Sequence, residues 1–262
     1  MSGFAEGVPC WVDAQLSDVA AGKRFYGELF GWTFEDGAGP TSPDPRSTQA
    51  YSEGRAVAAL APKLDGRMPT VWNVYFATPD AYALARRIRA EGGRIVSDPA
   101  PVGTYGTVAL AADPEGAVFG LWQAGTHPGF GRRGEPGSFC WTEVYSRDTA
   151  LVDPFYETVF GYGGTDLADA GDDFRTWSPA GSEPGPDTAI GGRSLVAGKF
   201  PAEMPAHFLV YFNVTDCDAV AETARRLGGR LRAEPFDIPY GRMAVIADDQ
   251  GAVFAVLQDP PA

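Results

Sequence analysis

Histidine is the scarcest of the residues that usually carry chemistry in this chain of 262 residues. There are two, His127 and His207, together with three cysteines. An odd and low cysteine count argues against a disulfide-based scaffold. Because imidazole is the commonest metal ligand in proteins, the histidine count is the number that bears most directly on any metal centre.

Positively charged residues are also few. The chain has 21 Lys+Arg against 34 Asp+Glu, a net charge of −13, and a pI near 4.5. A surface that binds nucleic acid or an anionic membrane needs basic residues to neutralise phosphate, so neither partner is expected. No run of 18 apolar residues could span a bilayer, and residues 1–7 lack the basic and apolar regions of a secretion signal. We therefore expect a cytoplasmic protein.

Several catalytic motifs are missing as well. The sequence has no Gly-x-Gly-x-x-Gly after a strand, no phosphate-binding Gly-Lys-Ser/Thr motif and no Gly-x-Ser-x-Gly. These absences argue against a dinucleotide-binding domain, a P-loop nucleotidase and an α/β-hydrolase.

What the sequence does contain is an internal repeat, in a chain whose 44% hydrophobic and 12% aromatic content indicates a real core. The repeated segments are Cys10-Trp11 and Cys140-Trp141, Phe25-Tyr26 and Phe155-Tyr156, Tyr75-Phe76 and Tyr211-Phe212, and Gly116–Phe119 and Gly251–Phe254. The repeat predicts two homologous domains, at residues 1–124 and 138–262. Residues 125–137 have the Gly-rich, polar composition of a surface linker, and we expect His127 within it to be solvated.

Each half is itself predicted to contain two βαβββ modules. In the first module a strand precedes Ser17-Asp18, which can cap a helix that ends at Gly31. The following module has a strand over residues 70–78, a helix over 80–91 and three further strands. In the third module Pro154 falls inside the expected helix and predicts a late helix start, with Asp153 as the N-cap.

The segments Phe25-Tyr26-Gly27-Glu28-Leu29-Phe30-Gly31-Trp32 and Asp113-Pro114-Glu115-Gly116 resemble the vicinal oxygen chelate superfamily, which includes glyoxalase I, bleomycin-resistance proteins and extradiol dioxygenases. The whole chain is similar to its tandem two-domain actinobacterial type, often labelled hydroxylase or glyoxalase-like. The resemblance implies an α+β fold of two tandem domains. In each, two βαβββ modules form a curved mixed sheet around a cavity.

In metal-dependent members of that superfamily, His or Gln on the first strand, His on the strand opening the second module and Glu on the last strand bind a divalent ion. The resemblance maps these positions to Trp11, Asn73 and Gly120 in the first half and to Trp141, Leu209 and Ala255 in the second. Trp, Gly, Leu and Ala side chains have no atom that ligates a metal, and Asn is a weak neutral donor. We therefore predict no metal and no other cofactor, which disfavours the family's Lewis-acid mechanisms.

Aromatic residues at these positions predict a cavity that holds an organic molecule by stacking and apolar burial. Alternation along the strands, with two loop tyrosines at the mouths, gives a set of expected ligand contacts. This set is Trp11, Asp13, Asn73, Tyr75, Tyr105, Trp122, Trp141, Tyr145, Leu209, Tyr211 and Tyr240. The alternative is that Trp11 and Trp141 only fill space that a metal site occupies in other members.

Acid–base chemistry is a further possibility in the second half. Glu143 and His207 are both expected to face its cavity, and a His beside a carboxylate in an apolar pocket is a reasonable general base. The alternative interpretation is that His207 is a structural hydrogen-bonding residue of its strand. In the first half, Val71 stands where His207 does.

Three hypotheses for function follow from the sequence. The first is metal-free binding of an aromatic or polycyclic small molecule, such as an antibiotic or secondary metabolite, for sequestration or in support of its tailoring. The second is a cofactor-independent enzyme such as a hydroxylase, oxygenase or isomerase. The third is a structural protein with vestigial cavities. The sequence is compatible with a monomer or a homodimer.

Overall fold

The computed structural model describes residues 3–37, 46–63, 65–167, 173–196 and 204–260 and contains four βαβββ modules. The first repeat consists of β1 (Pro9–Leu16), α1 (Val19–Phe30), β2 (Thr33–Asp36), β3 (Thr48–Ser52), β4 (Arg55–Pro62), β5 (Val71–Ala77), α2 (Ala81–Ala90), β6 (Arg94–Val102), β7 (Gly106–Ala112) and β8 (Val118–Ala124). The second consists of β9 (Phe139–Ser146), α3 (Thr149–Phe160), β10 (Gly163–Asp166), β11 (Phe174–Ser178), a 3₁₀ turn (Pro186–Thr188), β12 (Gly191–Leu195), β13 (His207–Asn213), α4 (Cys217–Arg226), β14 (Arg230–Ile238), β15 (Gly241–Ala247) and β16 (Val253–Gln258).

The strands form two eight-stranded mixed sheets, one from each repeat. Their orders are β2-β3-β4-β1-β5-β8-β7-β6 and β10-β11-β12-β9-β13-β16-β15-β14. The first strand of each module pairs in parallel with its last strand, as β1 does with β4, and the hairpins pair antiparallel. The predicted α+β class and the tandem modules are therefore confirmed. Among the helices of the described residues, none is long and apolar enough to cross a membrane.

Helix α1 shows why the sequence signals work. The Asp18 side chain accepts a hydrogen bond from the backbone N–H of Ala21 at 2.9 Å and caps the first turn. At the other end Gly31 takes the left-handed conformation, with φ of 70°. Between them Phe25, Tyr26 and Leu29 share the buried face, as their helical spacing predicts.

The predicted late start of α3 is wrong. The helix begins at Thr149, and Asp148 is its N-cap, accepting from the backbone N–H of Leu151 at 3.2 Å. Asp148 is the repeat equivalent of Asp18, so the two caps match. Pro154 lies inside the helix, where it removes one backbone N–H, and Phe155 and Tyr156 remain on the buried face. Burial of that face stabilises the helix across the proline.

The chain divides into two compact units that combine modules of both repeats. Unit A consists of Met1–Cys10, Val74–Gly129 and Thr142–Phe208, and unit B of Trp11–Asn73, Phe130–Trp141 and Leu209–Ala262. In unit A helix α2 contacts α3, and in unit B helix α1 contacts α4. Each unit thus joins one module from the first repeat to one from the second. The sequence domains at 1–124 and 138–262 remain a prediction about the repeat.

Each unit has an aromatic core built from equivalent positions. In unit B the rings of Phe30 and Phe212 are 5.1 Å apart, and those of Trp72 and Phe212 are 5.0 Å apart. In unit A the rings of Phe76 and Phe160 lie 5.3 Å apart. These separations suit edge-to-face and offset aromatic packing, which adds to the burial of apolar area.

Candidate functional site

Two buried tyrosine–aspartate pairs join the repeats inside the units. In unit B the hydroxyl of Tyr26 donates to Oδ2 of Asp248 at 2.8 Å, and in unit A the hydroxyl of Tyr156 donates to Oδ2 of Asp113 at 3.0 Å. The tyrosine belongs to one repeat and the aspartate to the other. Each of the two motif segments recognised in the sequence therefore meets the repeat counterpart of the other.

Each of these aspartates also holds the turn before the last strand of its repeat. Oδ1 of Asp113 accepts from the backbone N–H groups of Glu115 and Ala117, and Oδ1 of Asp248 from those of Gln250 and Ala252. Burial raises the pKa of both carboxyls, while their hydrogen bonds oppose that shift. Each carboxyl therefore joins a tyrosine of one repeat to a turn of the other.

In unit B the candidate residue Trp11 is fully buried. Its ring lies 5.6 Å from that of Phe130, which stacks on Phe139 at 4.9 Å. Phe130 comes from the segment predicted as a surface linker, and Arg132 of the same segment is buried as well. Part of that segment therefore belongs to the aromatic wall at β1. The sequence signal for this packing role is that Phe130 is an apolar aromatic residue within a Gly-rich segment.

A polar group adjoins this wall. Asp13 is fully buried; its Oδ1 accepts from Nδ2 of Asn73 at 2.9 Å and its Oδ2 from Nε2 of Gln15 at 3.3 Å. Two amides thus fix the orientation of the carboxylate. The structure brings Asp13 and Asn73 together as the sequence predicts.

In unit A the ring of Tyr75 lies where the side chain of a non-glycine residue at position 120 would lie. A Cβ built on Gly120 would lie 2.0 Å from the Tyr75 ring, so only glycine fits there without movement. In unit B, Tyr211 has Ala255 as its cross-strand partner at the equivalent position. Both tyrosines are buried, but only the first requires a glycine opposite it.

Trp122 and Tyr105, both candidates, lie with His127 in unit A. The Nε1–H of Trp122 donates to the backbone carbonyl of His127 at 3.1 Å, and the two rings meet edge to face at 5.8 Å. The backbone N–H of His127 donates to the carbonyl of half-buried Tyr105 at 3.2 Å. The expectation that His127 is solvated is wrong: it is 9% exposed, and burial lowers its pKa to about 4. Its imidazole is therefore neutral near pH 7.

Among the described residues, Glu143, Tyr145 and His207 in unit A form the cluster best suited to acid–base chemistry. The hydroxyl of Tyr145 donates to Oε1 of buried Glu143 at 3.2 Å. The rings of Tyr145 and His207 stack at 5.2 Å with an angle of 9° between their planes. Nδ1 of His207 lies 2.9 Å from the carbonyl oxygen of Pro205. The structure thus brings both acid–base candidates to one tyrosine.

The remaining candidates lie in unit B and differ in exposure. Leu209 and Tyr211 are buried and Trp141 is half-buried. Tyr240 is 48% exposed, in the turn between β14 and β15. The same turn borders an open cleft of about 290 Å³, which is lined by Asp237, Ile238, Pro239, Gly241, Arg242, Gln258, Asp259 and Pro260.

The residues at the family's metal positions do not fit a metal ion. Trp11, Gly120, Trp141, Leu209 and Ala255 offer no ligating side-chain atom. Asn73 offers only a neutral amide oxygen as a ligand, and its Nδ2 donates a hydrogen bond to Oδ1 of Asp13. Across the described parts of the chain, no three His, Cys, Asp or Glu side chains come together as a metal site requires.

The sequence of the chain matches a family model and several known proteins. Residues 11–121 match the model of the Glyoxalase/Bleomycin resistance protein/Dioxygenase superfamily. Over 270 residues the chain is 37% identical to the putative glyoxylase CFP32 of Mycobacterium tuberculosis (strain CDC 1551 / Oshkosh), covering 99% of this chain and 98% of that protein. It is also 37% identical over 276 residues to the anthracycline biosynthesis protein DauV of Streptomyces sp. (strain C5), covering 98% and 95%.

Among solved structures, the Mn(II)-bound glyoxalase from Novosphingobium aromaticivorans has the same fold. It superposes with a TM-score of 0.63 at 16% identity, over 97% of this chain and 83% of that one. The repeated modules, the two mixed sheets and the full-length sequence relationship lead to one conclusion. This chain belongs to the Glyoxalase/Bleomycin resistance protein/Dioxygenase superfamily.

Proposed function

We propose that the protein binds an aromatic or polycyclic small molecule without a metal ion, and that it sequesters this molecule or supports its tailoring. The observation that carries the proposal is the Tyr75 ring packed against Gly120, at a position to which the resemblance maps a metal ligand. Trp11 and Trp141 at two further ligand positions support it. The naming of DauV as an anthracycline biosynthesis protein suggests a planar fused-ring ligand.

The first test is titration of the protein with 2-methoxyanthraquinone in the presence of EDTA, followed by tryptophan fluorescence and calorimetry. We expect saturable binding that EDTA leaves unchanged. Trp141→Ala should weaken binding about tenfold, because loss of one stacking partner removes about 1.4 kcal/mol. Tyr82→Ala, which removes an exposed ring on α2, is the matched control and should leave the affinity unchanged.

Absence of binding to the wild-type protein would contradict the proposal and favour a structural role with vestigial cavities. Binding that disappears with EDTA and returns with a divalent metal would contradict its metal-free part. Equal affinity of Trp141→Ala and the wild type would remove Trp141 from the binding site.

Acid–base catalysis without a metal is the second candidate function. The specific observation in its favour is the cluster of Glu143, Tyr145 and His207, in which a neutral imidazole can accept a proton from a bound substrate. If the protein is such an enzyme, His207→Val should abolish turnover while binding of 2-methoxyanthraquinone survives. Retained turnover in that variant would exclude His207 as the base.

A further inference from the structure

The hydrogen bond to Pro205 determines which nitrogen of His207 carries a proton. Nδ1 lies 2.9 Å from the Pro205 carbonyl oxygen, which can only accept. Nδ1 must therefore hold the hydrogen. In the neutral ring, Nε2 is then the nitrogen with the lone pair, and it acts as an acceptor at the opposite end of the imidazole.

Tyr145 and Glu143 hold this imidazole in a defined plane. The Tyr145 ring is nearly parallel to it, at 5.2 Å and 9°. The Tyr145 hydroxyl is in turn bonded to the buried carboxylate of Glu143 at 3.2 Å. A half-buried acceptor with a fixed tautomer and a fixed plane is preorganised to receive one hydrogen bond.

The first repeat shows that the fold does not need this histidine. Met68-Pro69-Thr70-Val71 corresponds to Met204-Pro205-Ala206-His207, so the proline is kept and valine replaces histidine. Strand β5 begins at Val71 as β13 begins at His207. Gln15 takes the place of Tyr145, so the stacking partner is absent together with the imidazole. The imidazole and its stacking tyrosine therefore occur together in the second repeat and are both missing from the first.

We propose that Nε2 of His207 accepts a hydrogen bond from a hydroxyl group of the ligand, which makes the Glu143, Tyr145 and His207 cluster of unit A selective for hydroxylated aromatic molecules such as phenols. This rests on the proposed binding function and adds the chemical class of the ligand. A ligand without the hydroxyl leaves the acceptor without a partner, and this loss is what gives such a site its selectivity.

The test compares 2-hydroxyanthraquinone with 2-methoxyanthraquinone, which differ only in the hydroxyl hydrogen and one methyl group. We expect the wild-type protein to bind the hydroxy compound at least tenfold more tightly. His207→Val, which installs the residue of the first repeat, should reduce this preference to less than about twofold. The readout is the ratio of the two affinities measured on the same variant, so a general change in affinity cancels. His207→Gln, whose amide oxygen can accept a hydrogen bond, should keep part of it.

Nitrogen-15 NMR of the imidazole gives a readout that is independent of affinity. The His207 signals, assigned by their loss in His207→Val, should show the Nδ1–H tautomer, and Nε2 should shift on addition of the hydroxy compound only. An Nε2–H tautomer, or equal binding of both compounds by the wild type, would overturn this inference alone. Failure of both compounds to bind would overturn the proposed function and this inference with it.

Discussion

The Tyr26–Asp248 pair of unit B and the Tyr156–Asp113 pair of unit A are nearly the same, whereas the polar groups beside them on β1 and β9 are not. Both pairs have a tyrosine hydroxyl 2.8–3.0 Å from an aspartate that also holds a turn. On β1 two amides hold Asp13, while on β9 a tyrosine joins Glu143 and stacks on His207.

This difference separates the contacts that are the same in both repeats from those that differ between them. A buried tyrosine hydroxyl and a buried carboxylate each need a partner, so changing one member of the pair leaves the other unsatisfied. Asp13 on β1 and Glu143 on β9 are buried carboxylates as well, but their partners differ, two amides in the first repeat and a tyrosine hydroxyl in the second. The repeats thus meet the same need with different residues at these positions, while the tyrosine–aspartate pairs stay the same.

The largest expected effect is the loss of an aspartate from the constant pairs. Asp248→Ala removes the acceptor of one hydroxyl and two backbone N–H groups in a buried setting, and should lower the free energy of unfolding by about 3–5 kcal/mol. Asp113→Ala should cost a similar amount. Urea unfolding measures both, with the exposed Asp249→Ala as control. A cost below about 1 kcal/mol for either variant would contradict the equivalence of the pairs.

Next in size is Gly120→Ala, which should cost about 3 kcal/mol, because its Cβ would meet the Tyr75 ring at 2.0 Å. In a Tyr75→Ala background the same substitution should cost much less. The reverse change in the other repeat, Ala255→Gly, should cost about 1–2 kcal/mol, from backbone entropy and the loss of one buried methyl group. Additive effects in the Tyr75/Gly120 cycle, measured by thermal unfolding, would show that the ring does not require the glycine.

Burial of His127 predicts a loss of about 2 kcal/mol in the free energy of unfolding at acid pH. The pKa of His127 is about 4 in the folded protein and near 6.5 in the unfolded chain, so the unfolded chain binds the proton first as pH falls. The free energy of unfolding should therefore drop between pH 6.5 and 4, by about 2 kcal/mol at pH 5. His127→Gln should lack this component when unfolding is measured at pH 7 and 5.

The matched control uses a His207→Val background, in which His127 is the only histidine. His207→Val and the double variant His207→Val/His127→Gln should differ by the same pH-dependent component. Parallel stability curves for His127→Gln and the wild type would contradict burial of a neutral His127.

The smallest effect distinguishes the two tyrosines. The Tyr26 hydroxyl donates to Asp248 and also accepts from Nε1 of Trp72 at 2.9 Å, whereas the position equivalent to Trp72 holds Phe208, which has no N–H. Tyr26→Phe should therefore destabilise the protein by about 1 kcal/mol more than Tyr156→Phe. Equal costs in denaturant unfolding would show that the Trp72 hydrogen bond contributes nothing.

Local signals predicted the modules well because caps and alternation act over a few residues. Asp18 and Gly31 bound α1 as expected, and Asp80 caps α2. They failed at α3, where Pro154 suggested a late start but Asp148 provides the cap and burial of Phe155 and Tyr156 keeps the turn helical. They failed again at His127 and Phe130, because the composition of a segment does not show which side chains of other strands will pack against it.

The sequence by itself determined the repeat and the four βαβββ modules. These depend on residue type and on short-range order along the chain. Only the tertiary structure decided that each compact unit combines both repeats, that Tyr75 fills the space opposite Gly120, and that the imidazole of His207 lies between Pro205 and Tyr145. These features depend on contacts between segments far apart in sequence, where packing selects the partner of each side chain.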